Sequence, residues 1–80
     1  MTVKLIAYGI ARDILNRSSL DYQLTEDGSV ADLKEKLMIE YPEFEKLRSL
    51  KFAVKEDYQE DAFVLRQGDE VVIIPPVSGG

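Results

Sequence analysis

From Thr2 to Tyr8 the chain alternates, with Val3, Leu5 and Ala7 on one side and Lys4, Ile6 and Tyr8 on the other. That period of two predicts a strand with one face buried and the other partly covered. Gly9 is expected to break it. Ala11 to Arg17 then predicts a short helical turn carrying Ile14 and Leu15 inward, and Leu20, Tyr22 and Leu24 return to the period of two as a second strand, paired with the first through this connection. The period next lengthens, because Val30, Leu33, Leu37 and Tyr41 fall on one helical face. Ser29 followed by Asp32 fits an N-cap with an acidic residue three positions on. Pro42 sets the helix end at or near Tyr41, since a proline pushes the preceding residue out of helical conformation.

The second half repeats the strand signal. Leu50, Phe52 and Val54 alternate in a third strand, Asp57 to Asp61 reads as a polar connection, and Ala62 to Leu65 as a short edge segment. Gln67-Gly68-Asp69 reads as a turn with Gly68 free to take a positive φ. Val71 to Ile74 is apolar on both faces, as a central strand would be. Two strands, a helix long enough to cross a sheet and a return to the sheet define an α+β, ubiquitin-like β-grasp arrangement, a mixed sheet wrapped on one main helix. The expected boundaries are a β-grasp domain over residues 1–74 and an extended, flexible C-terminal tail over residues 75–80. No internal repeat or low-complexity tract interrupts this plan.

Composition narrows the chemistry. Eighty residues make one domain near the lower end of what folds alone, and a chain this short buries only about 60% of its unfolded surface, leaving room for one core and no deep substrate cavity. Cysteine is absent, which excludes disulfides, thiolate nucleophiles and cysteine-based metal sites. Histidine is absent too, removing the usual general base at neutral pH and the commonest metal ligand. An enzyme working alone is therefore not expected, nor is a cofactor bound by this chain. The net charge of −5, with Lys and Arg scattered among more numerous acids, argues against nucleic acid and suits a basic protein partner. No apolar run approaches the roughly 20 residues of a membrane span, and Lys4 and Asp13 interrupt the stretch a signal peptide would need, so a soluble cytoplasmic protein with no membrane partner is expected.

The most distinctive segment is Ile73-Ile74-Pro75-Pro76-Val77-Ser78-Gly79-Gly80. Proline cannot donate to a sheet ladder and fixes its own φ, so Pro75 and Pro76 are expected to end the last strand and aim the chain outward along an extended path. From Pro75 to Gly80 that path reaches roughly 20 Å. Two residues without Cβ form the thinnest segment a chain can offer, so a terminal carboxylate on Gly80 could enter a narrow active site, with Gly79 threading the channel behind it. A Gly-Gly end can equally be a flexible stub or a cloning remnant. The apolar strand runs into the tail with no polar linker and no shift in composition, which favours a delivery arm.

Other groupings carry less. Glu56, Asp57, Glu60 and Asp61 lack histidine, calcium-loop spacing and an apolar pocket, and read as a solvated loop rather than a metal or acid/base site. Glu43 and Glu45 around Phe44 read as a solvated turn with one aromatic tucked down. Gly68 is a lone loop glycine, not a phosphate cradle. Arg12 beside Asp13 is either a surface pair or a partner contact. Tyr8 and Ile74, each next to a chain break, are either core residues or, if exposed, an interaction patch at the root of the tail.

The run Leu65-Arg66-Gln67-Gly68-Asp69-Glu70-Val71-Val72-Ile73-Ile74-Pro75-Pro76-Val77-Ser78-Gly79-Gly80 closely resembles the C-terminal signature of the small subunits of molybdopterin synthase, the sulfur carriers of molybdenum cofactor biosynthesis. Gly9-Ile10-Ala11-Arg12-Asp13-Ile14-Leu15 after the first strand is similar to the family's opening segment, an aromatic pair followed by Ala, two variable residues, Arg, an acid and Leu. This chain departs from the pattern at Ala7, where one of the aromatic pair usually sits, at Gly9 in place of alanine, and at Lys55, where an asparagine is common.

The resemblance implies a mechanism and partners. An adenylyltransferase related to ubiquitin-activating enzymes would use ATP to convert the Gly80 carboxylate into an acyl-adenylate, and sulfur would displace AMP to leave a thiocarboxylate. Pro75, Pro76, Val77, Ser78 and Gly79 would thread into the large synthase subunit, whose pocket holds the pterin precursor, while Tyr8, Arg12 and Ile74 would face that partner. A thiazole-pathway sulfur carrier and a ubiquitin-like modifier forming isopeptide bonds share the fold and the Gly-Gly logic, and a passive binding module would show no adenylation at all.

Overall fold

The computed structural model describes residues 1–47 and 50–75. Among these the elements run β1 (Thr2–Ala7), α1 (Gly9–Leu15), β2 (Ser19–Gln23), α2 (Val30–Glu40), a 3-10 turn (Pro42–Lys46), β3 (Lys51–Val54), β4 (Asp57–Gln59) and β5 (Glu70–Ile74). The strands form one mixed sheet in the order β2-β1-β5-β3-β4. β1 and β5 are parallel at its centre, and the other neighbours are antiparallel. This is the β-grasp arrangement expected from the order of hydrophobic periods.

The register makes one face of the sheet apolar throughout. Leu5 pairs with Val71 and Val71 with Val54, while Ala7 pairs with Ile73 and Ile73 with Phe52, and all six residues are buried. Val30, Leu33 and Leu37 of α2 join them in the same core, with Ala11 and Leu15 from α1 and Phe44 from the 3-10 turn. Burying a Val, Leu, Ile or Phe side chain contributes about 1.5–3 kcal/mol. The continuous apolar face, not helix propensity, therefore holds these short elements together.

α2 starts where the sequence places it. The Asp32 amide donates to Ser29 Oγ at 3.2 Å and the Ser29 amide donates back to Asp32 Oδ2 at 2.9 Å, closing a capping box. Replacing Ser29 with Ala should cost about 1 kcal/mol. In a domain this small that lowers the melting temperature by roughly 4–8 °C, which thermal denaturation followed by circular dichroism would detect. At the other end the Tyr41 amide still donates to Leu37 at 2.7 Å, and Pro42 diverts the chain into the 3-10 turn.

Three elements differ from expectation. α1 begins at Gly9, two residues early, because Gly9 takes a φ of +53° and turns the chain straight from strand into helix, while Asn16 closes it at φ 62°. Ala11 joins Leu15 as its buried residue, with Ile14 only half buried. The expected polar connection Asp57 to Asp61 instead supplies β4. Lys55 and Glu56, both at positive φ (55° and 71°), form a two-residue hairpin loop whose twist matches the strands on either side, so Val54 pairs with Asp57 and Ala53 with Tyr58.

Ala62 to Leu65 is not an edge strand. Its backbone is taken up by the start of α2, where the Val30 amide donates to Phe63 at 2.9 Å and the Leu65 amide to Gly28 at 2.8 Å. Val64 contributes one isolated bridge, to Ser29. The Gln67-Gly68 turn forms as expected, with Gly68 at φ +83° and its amide donating to Thr2 at 2.8 Å. No helix among the described residues is long and apolar enough to cross a membrane.

Candidate docking surface at the root of the tail

Because β1 and β5 run parallel, both finish at the same end of the sheet, and the register Ala7 to Ile73 sets Tyr8 next to Ile74 one position further on. Ala7 and Ile73 face the core. Tyr8 keeps an extended backbone (φ −129°, ψ 162°), so alternation turns both Tyr8 and Ile74 to the opposite, uncovered face. Tyr8 is 61% exposed and Ile74 half buried. Pro75, also half buried, continues from Ile74.

The same face carries an apolar row one step back along the strands. Ile6 pairs with Val72, Val72 with Ala53 and Ala53 with Tyr58, which is 65% exposed on the edge strand. Lys51 lies opposite Ile74, and its ammonium sits 5.6 Å from the centroid of the Tyr58 ring. A further step back the face turns charged, with Lys4 between Asp21 and Glu70. The apolar end of the uncovered face is thus the end from which the chain leaves the sheet.

The other candidates fall elsewhere. Arg12 is exposed on α1, where its amide donates to the Tyr8 carbonyl at 3.3 Å, and its side chain lines a shallow depression with Asp13, Asn16 and Arg17. No salt bridge joins Arg12 to Asp13. Pro76, Val77, Ser78, Gly79 and Gly80, which carry the expected threading and reacting roles, lie outside the described residues. The carboxylates of Glu56, Asp57, Glu60 and Asp61 are exposed, and among the described residues no group of three or more acidic side chains converges in a way that would hold a metal ion.

One titratable group has a strongly altered environment. Burial, helped by the Glu40 carboxylate that accepts its hydroxyl hydrogen bond, pushes the Tyr22 phenol well above its ordinary range. Lys36 lies 4.9 Å over the same ring and donates to the Gln23 carbonyl at 2.6 Å. These contacts clamp β2 against α2 on the core side of the sheet. They have no part in the uncovered face.

Ile6, Val72, Ala53, Lys51 and Tyr58 complete a surface for which the sequence had suggested only Tyr8 and Ile74 on the sheet. The alternation in Thr2 to Tyr8 already set Ile6 with Tyr8. Tyr58 was hidden by its acidic neighbours, and only the Lys55-Glu56 hairpin brings it across from Ala53.

The fold and this surface define a class, a small ubiquitin-like β-grasp protein whose uncovered apolar sheet face borders the exit of its C-terminal segment. Residues 6–80 match the ThiS family model, and the chain belongs to the ThiS family. It is 28% identical over 79 residues to a molybdopterin synthase sulfur carrier subunit of Arabidopsis thaliana, covering 98% of this chain and 82% of that protein. Identity to the protein of the same description from Chlamydomonas reinhardtii is also 28%, over 100% of both chains.

Among solved structures, a Pyrococcus furiosus protein provisionally assigned as molybdopterin converting factor subunit 1 superposes with a TM-score of 0.87 at 23% identity, covering 96% of this chain and 99% of that one. Small archaeal modifier protein 1 of Haloferax volcanii gives a TM-score of 0.81 at 14% identity, over 95% and 98%. A chain in the Helicobacter pylori complex of subunits 1 and 2 of the molybdopterin-converting factor gives 0.68 at 21% identity, over 100% of both. These three likenesses concern the fold.

Proposed function

We propose that this chain is the sulfur-carrier small subunit of a molybdopterin synthase. The observation that carries the reading is the position of Pro75, where the family's C-terminal segment leaves the sheet beside the apolar patch of Tyr8, Ile6, Val72 and Ile74. A partner docked on that patch receives the tail directly. The two curated relatives favour molybdopterin synthase over a thiazole-pathway carrier or a protein modifier as the setting.

Activation begins at Gly80. A carboxylate is a poor acyl donor, so an adenylyltransferase partner joins its oxygen to the α-phosphorus of ATP and releases pyrophosphate. A sulfur nucleophile at the oxidation level of hydrosulfide then attacks the acyl carbon. The carbon–sulfur bond forms, the bond to AMP breaks, and the thiocarboxylic acid loses its proton to water.

The charged sulfur enters the large subunit first, with Gly79, Ser78, Val77, Pro76 and Pro75 behind it. There it bonds to the pterin precursor, and water then attacks the acyl carbon, breaking the carbon–sulfur bond and regenerating the carboxylate. The chain itself supplies the reacting terminus and the docking face, and the catalytic pocket lies on the large subunit. Proline at positions 75 and 76 fixes φ there, which would limit the backbone freedom lost on insertion. A cytoplasmic setting suits the ATP-dependent step.

The test is a single-turnover reaction of the thiocarboxylated chain with a purified large subunit and pterin precursor. Sulfur transfer to the precursor, with return of the chain to its carboxylate form, is the expected result. Transfer to a thiazole precursor instead, or ATP-dependent attachment of the chain to lysines of other proteins, would replace this reading with one of its rivals.

A further inference from the structure

The apolar surface does not stop at Tyr8. Gly9 is flanked by Tyr8 and Ile10, exposed by 61% and 45%, and beyond them Ile10 and Ile14 of α1 face Leu47 across an open cleft of about 320 Å³ against the 3-10 turn. Asp13, Glu43 and Lys46 form its rim, two acids against one base. The cleft has a fixed relation to the tail root, because the Tyr8 carbonyl accepts the amides of Ala11 at 3.1 Å and Arg12 at 3.3 Å and so locks the first turn of α1 onto the end of β1. Ile10 follows Tyr8 by two residues, so the cleft opens beside the tail root.

We propose that this cleft is a second anchor of the docking face. It takes an aliphatic side chain of the large synthase subunit, flanked there by a basic residue that meets Asp13 and Glu43. The inference rests on the function proposed above and extends it in two ways. The partner contact wraps around the end of the sheet instead of lying flat on it. Ile10, 45% exposed and lining the cleft, also adds an aliphatic contact to the aromatic one at Tyr8.

Calorimetric titration of the full chain with the purified large subunit tests this. Ile10→Asp is expected to weaken binding by about tenfold or more, as loss of a buried apolar anchor does. Ile10→Val should retain affinity within about twofold, well inside the spread of near-neutral interface changes. Ile39→Asp, at an exposed isoleucine on α2 outside the cleft, should bind like the unaltered chain. Should Ile10→Asp disturb the circular dichroism melt, Ile10→Ser gives the same reading with less perturbation. Unchanged affinity in the Ile10 variants, with binding lost in Tyr8→Asp, would overturn the cleft and leave the sheet-face docking intact. No binding by the unaltered chain would overturn both.

Discussion

Deleting Gly80, or appending one residue after it, is expected to abolish ATP-dependent activation while leaving the circular dichroism spectrum and thermal melt unchanged. Removing one extended residue withdraws the carboxylate by roughly 3.5 Å. Reacting atoms must approach within about 3–3.5 Å, and a misplacement of only 1 Å can cost about a hundredfold in rate. An added residue moves the carboxylate too far in the other direction and, unless it is glycine, brings a Cβ into the narrowest part of the path. The fold should not register either change, because among the described residues the last buried core residue is Ile73 and the last strand residue is Ile74. Pyrophosphate exchange with the activating enzyme is the measurement. Activation within tenfold of the unaltered chain in either variant would contradict a role for Gly80 as the acyl group.

The second large effect is expected at the root of the tail. Tyr8→Asp should weaken binding to the large subunit by about thirtyfold or more, the range of an aromatic anchor worth at least 2 kcal/mol. At 61% exposure the Tyr8 side chain contributes little to the core, so the melting temperature should shift by only a few degrees. Ile74→Asp is expected to act in the same direction with a larger loss of stability, since Ile74 is half buried and paired with Lys51 within the sheet. Ile74→Thr keeps the β-branched shape that suits a strand and separates the two contributions. A large drop in melting temperature with unchanged affinity would reassign either residue to the core.

Much of this surface follows from simple periodicity. The alternation at Val3, Leu5 and Ala7, and the doubly apolar Val71 to Ile74, specify a central strand pair because a one-residue slip would turn the buried set outward. Ser29 and Asp32 mark the start of α2 without any tertiary information, since the capping box is closed within four residues. Local pattern failed where the backbone, not side-chain polarity, decided the outcome. Lys55-Glu56 lacks the Asn-Gly signature of a tight hairpin yet adopts positive φ at both positions, and β4 and Tyr58 depend on it. Val64 looks strand-like in isolation, but its neighbours' carbonyls and amides are taken by the start of α2. The cleft at Ile10, Ile14 and Leu47 joins residues more than 30 positions apart, beyond the reach of any local pattern.

The central claim is that Gly80 cycles between carboxylate and thiocarboxylate. Intact mass spectrometry of the chain purified from a host actively making molybdenum cofactor tests it most directly. A carrier shows a second species, heavier by the difference between one sulfur and one oxygen atom, with the change confined to the peptide that ends at Gly80. That species should disappear on incubation with the large subunit and pterin precursor. A chain found only as the carboxylate, or with Gly80 joined through isopeptide bonds to lysines of other proteins, would contradict the claim.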